Sequence, residues 1–162
     1  MKIREMGEAD RLKWLDLRRA LWPECSEERH EIEVAQWENS DGVVLLAEGS
    51  DGRALGFAEV SIRREHVEGT SSAPVAYLEA WYVVPEERRK GIGRALIESA
   101  VRWSSEAGFS ELACDAEFDN SNAIQAHKDL GFREVGRSIH FVRTLPKSVA
   151  KSEDALHRHD RK

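Results

Sequence analysis

Between Val83 and Leu96 the chain reads VVPEERRKGIGRAL, and this stretch constrains the fold more than any other. An apolar run, AYLEAWYVV, leads into Pro85; a short basic turn follows, then Gly91 and Gly93, then a helical pattern. Strand, glycine turn and helix start, in that order, make a place for phosphate groups. Glycine lets the backbone come close to an anion. The free N–H groups of a first helical turn point at it, and the helix dipole favours negative charge there. Arg88, Arg89, Lys90 and Arg94 put four of the chain's 24 basic residues within seven positions, in a protein of net charge −6. The plain alternative is a solvated basic turn. A dinucleotide fingerprint needs a third glycine where Leu96 stands, and a P-loop needs Gly-Lys-Ser/Thr, which does not occur.

At 162 residues the chain fits one domain with a real core. Charged residues at 33% and apolar residues at 41% suit a soluble globular protein. No apolar run approaches the ~20 residues of a membrane span. Met1 runs straight into a strand-like KIREM, so neither membrane nor signal peptide is expected. Cys25 and Cys114 form no paired motif, which fits a reducing cytoplasm. The histidines show no metal-ligand spacing, and no metal is expected. The acidic balance argues against nucleic acid and suits a cationic partner. Glu24, Glu27, Glu28, Glu31, Glu33 and Glu38 crowd one segment, either as a solvated helix face or as an acidic wall toward a polycation.

Hydrophobic period and turn residues predict a strand at 2–6, a helix at 8–21 and a second helix from Ser26 to about Glu38, with Pro23 between them. A strand at 43–47, the turn Gly49–Gly52 and a return strand at 54–62 follow. The longest strand is 75–84. A helix at 92–107 ends at Gly108, a strand covers 112–115, and a helix at 120–130 ends at Gly131. Two short strands, 133–137 and 139–145, complete the domain, and 147–162 is expected to be a charged, flexible tail. Strands first and strand–helix–strand after predict an α/β fold with a sheet of mixed direction.

Strict alternation puts Tyr77, Glu79, Trp81 and Val83 on one face. A carboxylate buried among them would have its pKa raised, which suits a general base. A solvent-facing sheet glutamate is the alternative. Asp115 ends the next strand, where α/β sheets open toward a ligand crevice, or it is a turn aspartate. Asn120 opens a helix and could serve only as its N-cap.

Arg88-x-x-Gly91-x-Gly93 behind a Val-Val-Pro strand end resembles the acyl-coenzyme A signature of the GNAT N-acetyltransferase superfamily. The order of elements resembles the GNAT fold, which implies a central, mostly antiparallel sheet with splayed middle strands, flanked by helices, over residues 1–146. Leu21-Trp22-Pro23, Tyr77-Leu78-Glu79, Asp115 and the segment from Asn122-Ala123 to Gly131-Phe132 look together like aminoglycoside 6′-N-acetyltransferases. The resemblance implies acetyl-coenzyme A as co-substrate. Trp81, Tyr82 and Val83 would hold its pantetheine arm, the turn of Arg88, Arg89, Lys90, Gly91, Ile92, Gly93 and Arg94 its pyrophosphate, and Asn120 its thiol end. It implies a cationic aminoglycoside lying against Trp22, position 66, Glu79 and Asp115, with the two acids as the catalytic pair. This sequence has His66 where an aromatic phenol is expected, Gly136 where an acid is expected, and His127 where many such enzymes place a tyrosine acid. Either His127 or solvent would then protonate the leaving thiolate, and His127 as a packed helix-face residue is the alternative. The resemblance further implies a homodimer. An acetyltransferase for a polyamine, peptide amine or small metabolite, and a non-catalytic module binding coenzyme A or drug, are the rival readings.

Overall fold

The tight polar turn Gly49–Gly52 joins two apolar runs as a hairpin, with helices before it and a longer loop, 64–74, after it. The computed structural model describes residues 1–145; the predicted tail at 147–162 lies outside them. β1 (Lys2–Glu5), β2 (Val43–Glu48), β3 (Ala54–Arg63) and β4 (Val75–Val83) pair antiparallel in chain order. β5 (Leu112–Cys114) then joins β4 in parallel, giving a five-stranded sheet of order β1-β2-β3-β4-β5. The parallel step is possible because a helix crosses between the two strands.

That helix, α3 (Ile92–Glu106), carries Ile92, Leu96, Ile97 and Ala100 as a buried stripe against one sheet face. It stops at Gly108, whose φ of 91° lets the chain reverse, and Phe109 N–H closes the end on the Ser104 carbonyl at 2.9 Å. The other face is covered by α1 (Arg11–Leu21) and α2 (Glu27–Glu38), through Trp14, Leu15, Leu17 and Val34 packed on Val44, Leu46 and Phe57. Ser26 caps α2 as predicted, its Oγ accepting from the Arg29 amide at 3.3 Å. The predicted single helix at 8–21 is instead one 3-10 turn, Glu8–Asp10, followed by α1. Among the described residues no helix is long and apolar enough to cross a membrane.

Among the described residues the last helix is α4 (Ser121–Asp129). The two strands predicted after it are not formed. Residues 133–145 run without a ladder, and Ile139, Phe141 and Val142 stand 80–98% exposed. A strand exists only where a partner takes its N–H and C=O groups, and the sheet pairs through β5 over three residues only. The start of this segment is held by side chains. Glu134 pairs with Lys128 and Arg137, Arg137 lies over the Phe118 ring, and Val135 sits against Gly69, where a Cβ would come within 2.2 Å.

Candidate active site

β5 pairs only with Ala76, Tyr77 and Leu78. From Glu79 to Val83 the β5-facing side of β4 has no strand partner among the described residues, while its other side stays on β3. This is the splay expected from the resemblance. Alternate backbone amides along the opened stretch face the gap.

One residue of β4 breaks the predicted alternation. Ala80 pairs with Glu59 and Leu78 with Val60, so Glu79 is the extra residue of a β-bulge. Past the bulge the parity reverses. Trp81 and Val83 turn to the α3 side with Ala76 and Leu78, whereas Ala80 and Tyr82 pack toward α1 and α2. The expected shared face of Tyr77, Glu79, Trp81 and Val83 is therefore cut in two. Glu79 is exposed rather than buried, and the burial argument for a raised pKa does not apply to it. Its carboxylate is held instead by donors. Ser61 Oγ donates at 2.5 Å, and Arg63 Nε and Nη2 donate to its two oxygens at 2.9 and 2.7 Å.

Asp115 comes one residue after the last paired residue of β5, level with Glu79 at the mouth of the gap. It accepts a short hydrogen bond from the Tyr77 hydroxyl. Burial first, and the Asp115 carboxylate second, push the Tyr77 phenol above its ordinary 10.0, so it stays protonated and keeps donating. Arg63 closes the group, its Cζ 3.3 Å from the Tyr77 ring centroid. The structure thus gathers Glu79 and Asp115, and adds Ser61, Arg63 and Tyr77, which the sequence reading did not assign. The missed signal is the i, i+2 spacing of Ser61 and Arg63, which puts both beside Tyr77 once the strands pair.

At the far end of the gap the glycine turn has the predicted form. Gly91 has φ 85° and opens α3, and nothing lies within 4 Å of the place its Cβ would take. Gly93 is required by contact instead, since a Cβ there would meet Trp81 Cζ2 at 2.7 Å. The helix ladder begins with Ala95 N–H on the Gly91 carbonyl at 3.0 Å, which leaves the Ile92, Gly93 and Arg94 amides outside it. The basic side chains are not equivalent. Arg88 folds back onto the end of β4, donating from Nε to the Val83 carbonyl at 2.9 Å, and Lys90 pairs with Glu87 at 3.1 Å. Arg94 reaches the Asp129 carbonyl at 3.5 Å, and Arg89, at φ 64°, has no ion pair among the described residues. An open amide turn of this kind fits a pyrophosphate. The buried Trp81 Nε1, without a partner among the described residues, adds an unspent donor beside it.

Asn120 does cap α4, its Oδ1 accepting from the Ala123 amide at 3.0 Å, which leaves its amide NH2 to donate elsewhere. His127 packs edge-on between Trp81 and Phe132, with ring centroids 5.6 and 5.4 Å away. Its Nδ1 lies 2.7 Å from the Ala123 carbonyl, which can only accept, so Nδ1 is the donor there. Trp22 ends α1, half-buried, with the Arg18 guanidinium 4.7 Å from its ring centroid. His66 is exposed on the loop before β4, and Glu68 of that loop lies beside Gly136, where the expected acid is missing. Burial pushes the thiol of Cys114, next to Asp115, up to about 12, which favours its protonated form.

The glutamates of α2 mostly face α1 instead of forming an acidic wall. Glu27 pairs with Arg19, Glu31 and Glu38 with Arg11, and Glu33 with Arg18 and Arg29. Among the described residues no group of three or more His, Cys, Asp or Glu could hold a metal ion.

Compared with known proteins, residues 11–132 match the model of the acetyltransferase (GNAT) family. An aminoglycoside N(6')-acetyltransferase type 1 of Stenotrophomonas maltophilia is 39% identical over 147 residues, covering 91% of this chain and 95% of that protein. One of Klebsiella aerogenes is 40% identical over 147 residues, covering 88% and 96%. Among solved structures, AAC(6')-Iy in complex with the bisubstrate analogue CoA-S-monomethyl-acetylneamine superposes with a TM-score of 0.83 at 33% identity, covering 89% of this chain and 98% of that one.

Proposed function

The chain belongs to the acetyltransferase (GNAT) family, and we propose that within it this protein transfers an acetyl group from acetyl-coenzyme A to the 6′-amine of aminoglycosides, conferring resistance to them. The observation that carries the reading is the acid pair, Glu79 and Asp115, at the mouth of a gap whose other end is the open turn Gly91–Gly93. The two relatives are named for acetylation at the 6′ nitrogen, which supports the choice of amine.

The residues divide the work as follows. Arg89 to Arg94 hold the pyrophosphate through the free amides of the turn, with Arg89 and Arg94 adding charge. Arg88 acts from behind, by fixing the end of β4. Amides between Trp81 and Val83 hold the pantetheine arm along the opened strand and polarise the thioester carbonyl. The Asn120 NH2 group faces the thiol end. Acetyl-coenzyme A supplies the activated acetyl group when bound. Glu79 and Asp115 bind the substrate ammonium and then accept its proton, directly or through a water, because only the neutral amine attacks. The departing thiol takes its proton from His127 or from water. Trp22 and His66 border the sugar.

A homodimer in the cytoplasm belongs to the same reading. The apolar side chains at Ile139, Phe141 and Val142 favour cover by a second copy. The unpaired thiols Cys25 and Cys114 suit a reducing compartment. Light scattering should give twice the 18.4 kDa of one chain; the mass of a single chain counts against the dimer.

Neomycin and paromomycin test the substrate directly, since they differ in carrying an amine or a hydroxyl at the 6′ position. Thiol release from acetyl-coenzyme A is expected with neomycin and not with paromomycin. Equal release would move the reaction to another amine. Release with neither would send the search to polyamines and peptide amines.

A further inference from the structure

Arg63 stands between the two acids. From the end of β3 it grips both oxygens of Glu79, and its guanidinium lies over the ring of Tyr77, which in turn donates to Asp115. Ser61 adds a third donor to Glu79. The group therefore holds two carboxylates and one cation. The neighbouring cation, Arg64, turns away to Asp41 at 2.6 Å, and no other ion pair reaches Glu79 or Asp115 among the described residues.

A two-pronged guanidinium fills the directions along which an ammonium would donate to the same carboxylate. The Arg63 side chain is 42% exposed and that of Glu79 29%, so the pair is open to water and weak enough to exchange. The strand holding Ser61 and Arg63 is fixed to β4 by the register Ser61↔Tyr77 and Arg63↔Val75. The Arg63 side chain can thus leave Glu79 without the strand moving.

We propose that Arg63 is a specificity-determining residue, an internal counter-cation that occupies Glu79 in the free protein and is displaced from it by the ammonium of the substrate. The inference rests on Glu79 and Asp115 being the ammonium-binding pair. A ligand must outcompete Arg63 to reach Glu79. An uncharged molecule has nothing to exchange for it. A polycation, with further ammonium groups to place elsewhere, offsets the displacement best. The resident cation thereby tunes the site toward multiply charged amines.

Arg63→Met keeps the stem over Tyr77 and removes the charge, whereas Arg63→Lys keeps the charge and loses the fork. With acetyl-coenzyme A saturating, Arg63→Met is expected to lower the KM for neomycin about fivefold, as befits loss of a competing exposed ion pair. Its KM for acetyl-coenzyme A stays at the wild-type value. Arg63→Lys, a single-pronged competitor, is expected to fall between wild type and Arg63→Met for neomycin and to match wild type for acetyl-coenzyme A. An unchanged or raised neomycin KM in Arg63→Met overturns the proposal. The wild-type protein gives a second reading without any variant. The Arg63 Nε–H signal in nitrogen-15 NMR reports the hydrogen bond to Glu79 and should shift when neomycin is added; an unmoved signal in the bound state overturns the proposal too. If the wild-type protein neither binds nor acetylates neomycin, the reading of the acid pair falls and this inference with it. Turnover by the wild type with no response at Arg63 removes this inference alone.

Discussion

Replacing Glu79 by Gln and Asp115 by Asn in the same protein is expected to lower turnover of aminoglycosides by about 10²–10⁴-fold, the usual contribution of a positioned proton acceptor. Both changes are isosteric. Through its carbonyl oxygen, the amide at position 79 can still accept from Ser61 Oγ and Arg63 Nε, although its NH2 then faces Arg63 Nη2 and that bond is lost. The amide at position 115 can still accept from the Tyr77 hydroxyl. What is lost is negative charge and basicity where the ammonium must bind and deprotonate. The KM for acetyl-coenzyme A should not move, because the Gly91–Gly93 turn and the amides from Trp81 to Val83 are untouched. Stopped turnover with an unchanged melting temperature supports the assignment. Turnover near the wild-type level in the double variant means that neither carboxylate takes the proton.

The second large effect concerns stability. Glu59 lies inside the sheet at 1% exposure, on the opposite strand from Ala80, and is bonded by Trp14 Nε1 at 2.8 Å and Arg18 Nη1 at 2.5 Å. Arg18 is itself 2% exposed, and also reaches Glu33 at 2.5 Å. Burial pushes the Glu59 carboxyl upward while the Arg18 guanidinium and the Trp14 indole pull it down. Glu59→Ala leaves a guanidinium buried with too little counter-charge, and a cost of about 3–5 kcal/mol is expected. For a chain of this size that is a fall in Tm of roughly 6–20 °C. Removing both partners, as Glu59→Leu with Arg18→Met, should restore much of the loss, because apolar groups of similar volume replace a buried pair at little cost. Thermal denaturation of the single and double variants checks both statements. A single variant that melts with the wild type would show that the buried pair contributes little. Since Arg18 also stacks on Trp22, the single variant is expected to raise the aminoglycoside KM as well.

Much of this was legible in the sequence because it depends on local chemistry. Ser26 capping α2, the reversals at Gly91 and Gly108, and the apolar stripe of α3 are each fixed by a few adjacent residues. What escaped depends on pairing. A period of two cannot register the bulge at Glu79, since an extra residue appears only when β3 and β4 are laid side by side. The same holds for Arg63, whose partner is sixteen residues away on the next strand, and for Glu59, which sequence alone reads as one polar residue in a strand. The glutamates of α2 looked like a free acidic face because their arginine partners lie on α1. The strands predicted at 133–145 have strand-like composition, but composition supplies no partner, and among the described residues they find none.

The most direct measurement is where the acetyl group ends up. Neomycin turned over by this protein with acetyl-coenzyme A carrying a carbon-13 acetyl group would be analysed by two-dimensional NMR. A single new amide is expected, correlated with the methylene at the 6′ carbon. An amide at any ring amine, with the 6′ methylene unchanged, would contradict acetylation at the 6′ amine.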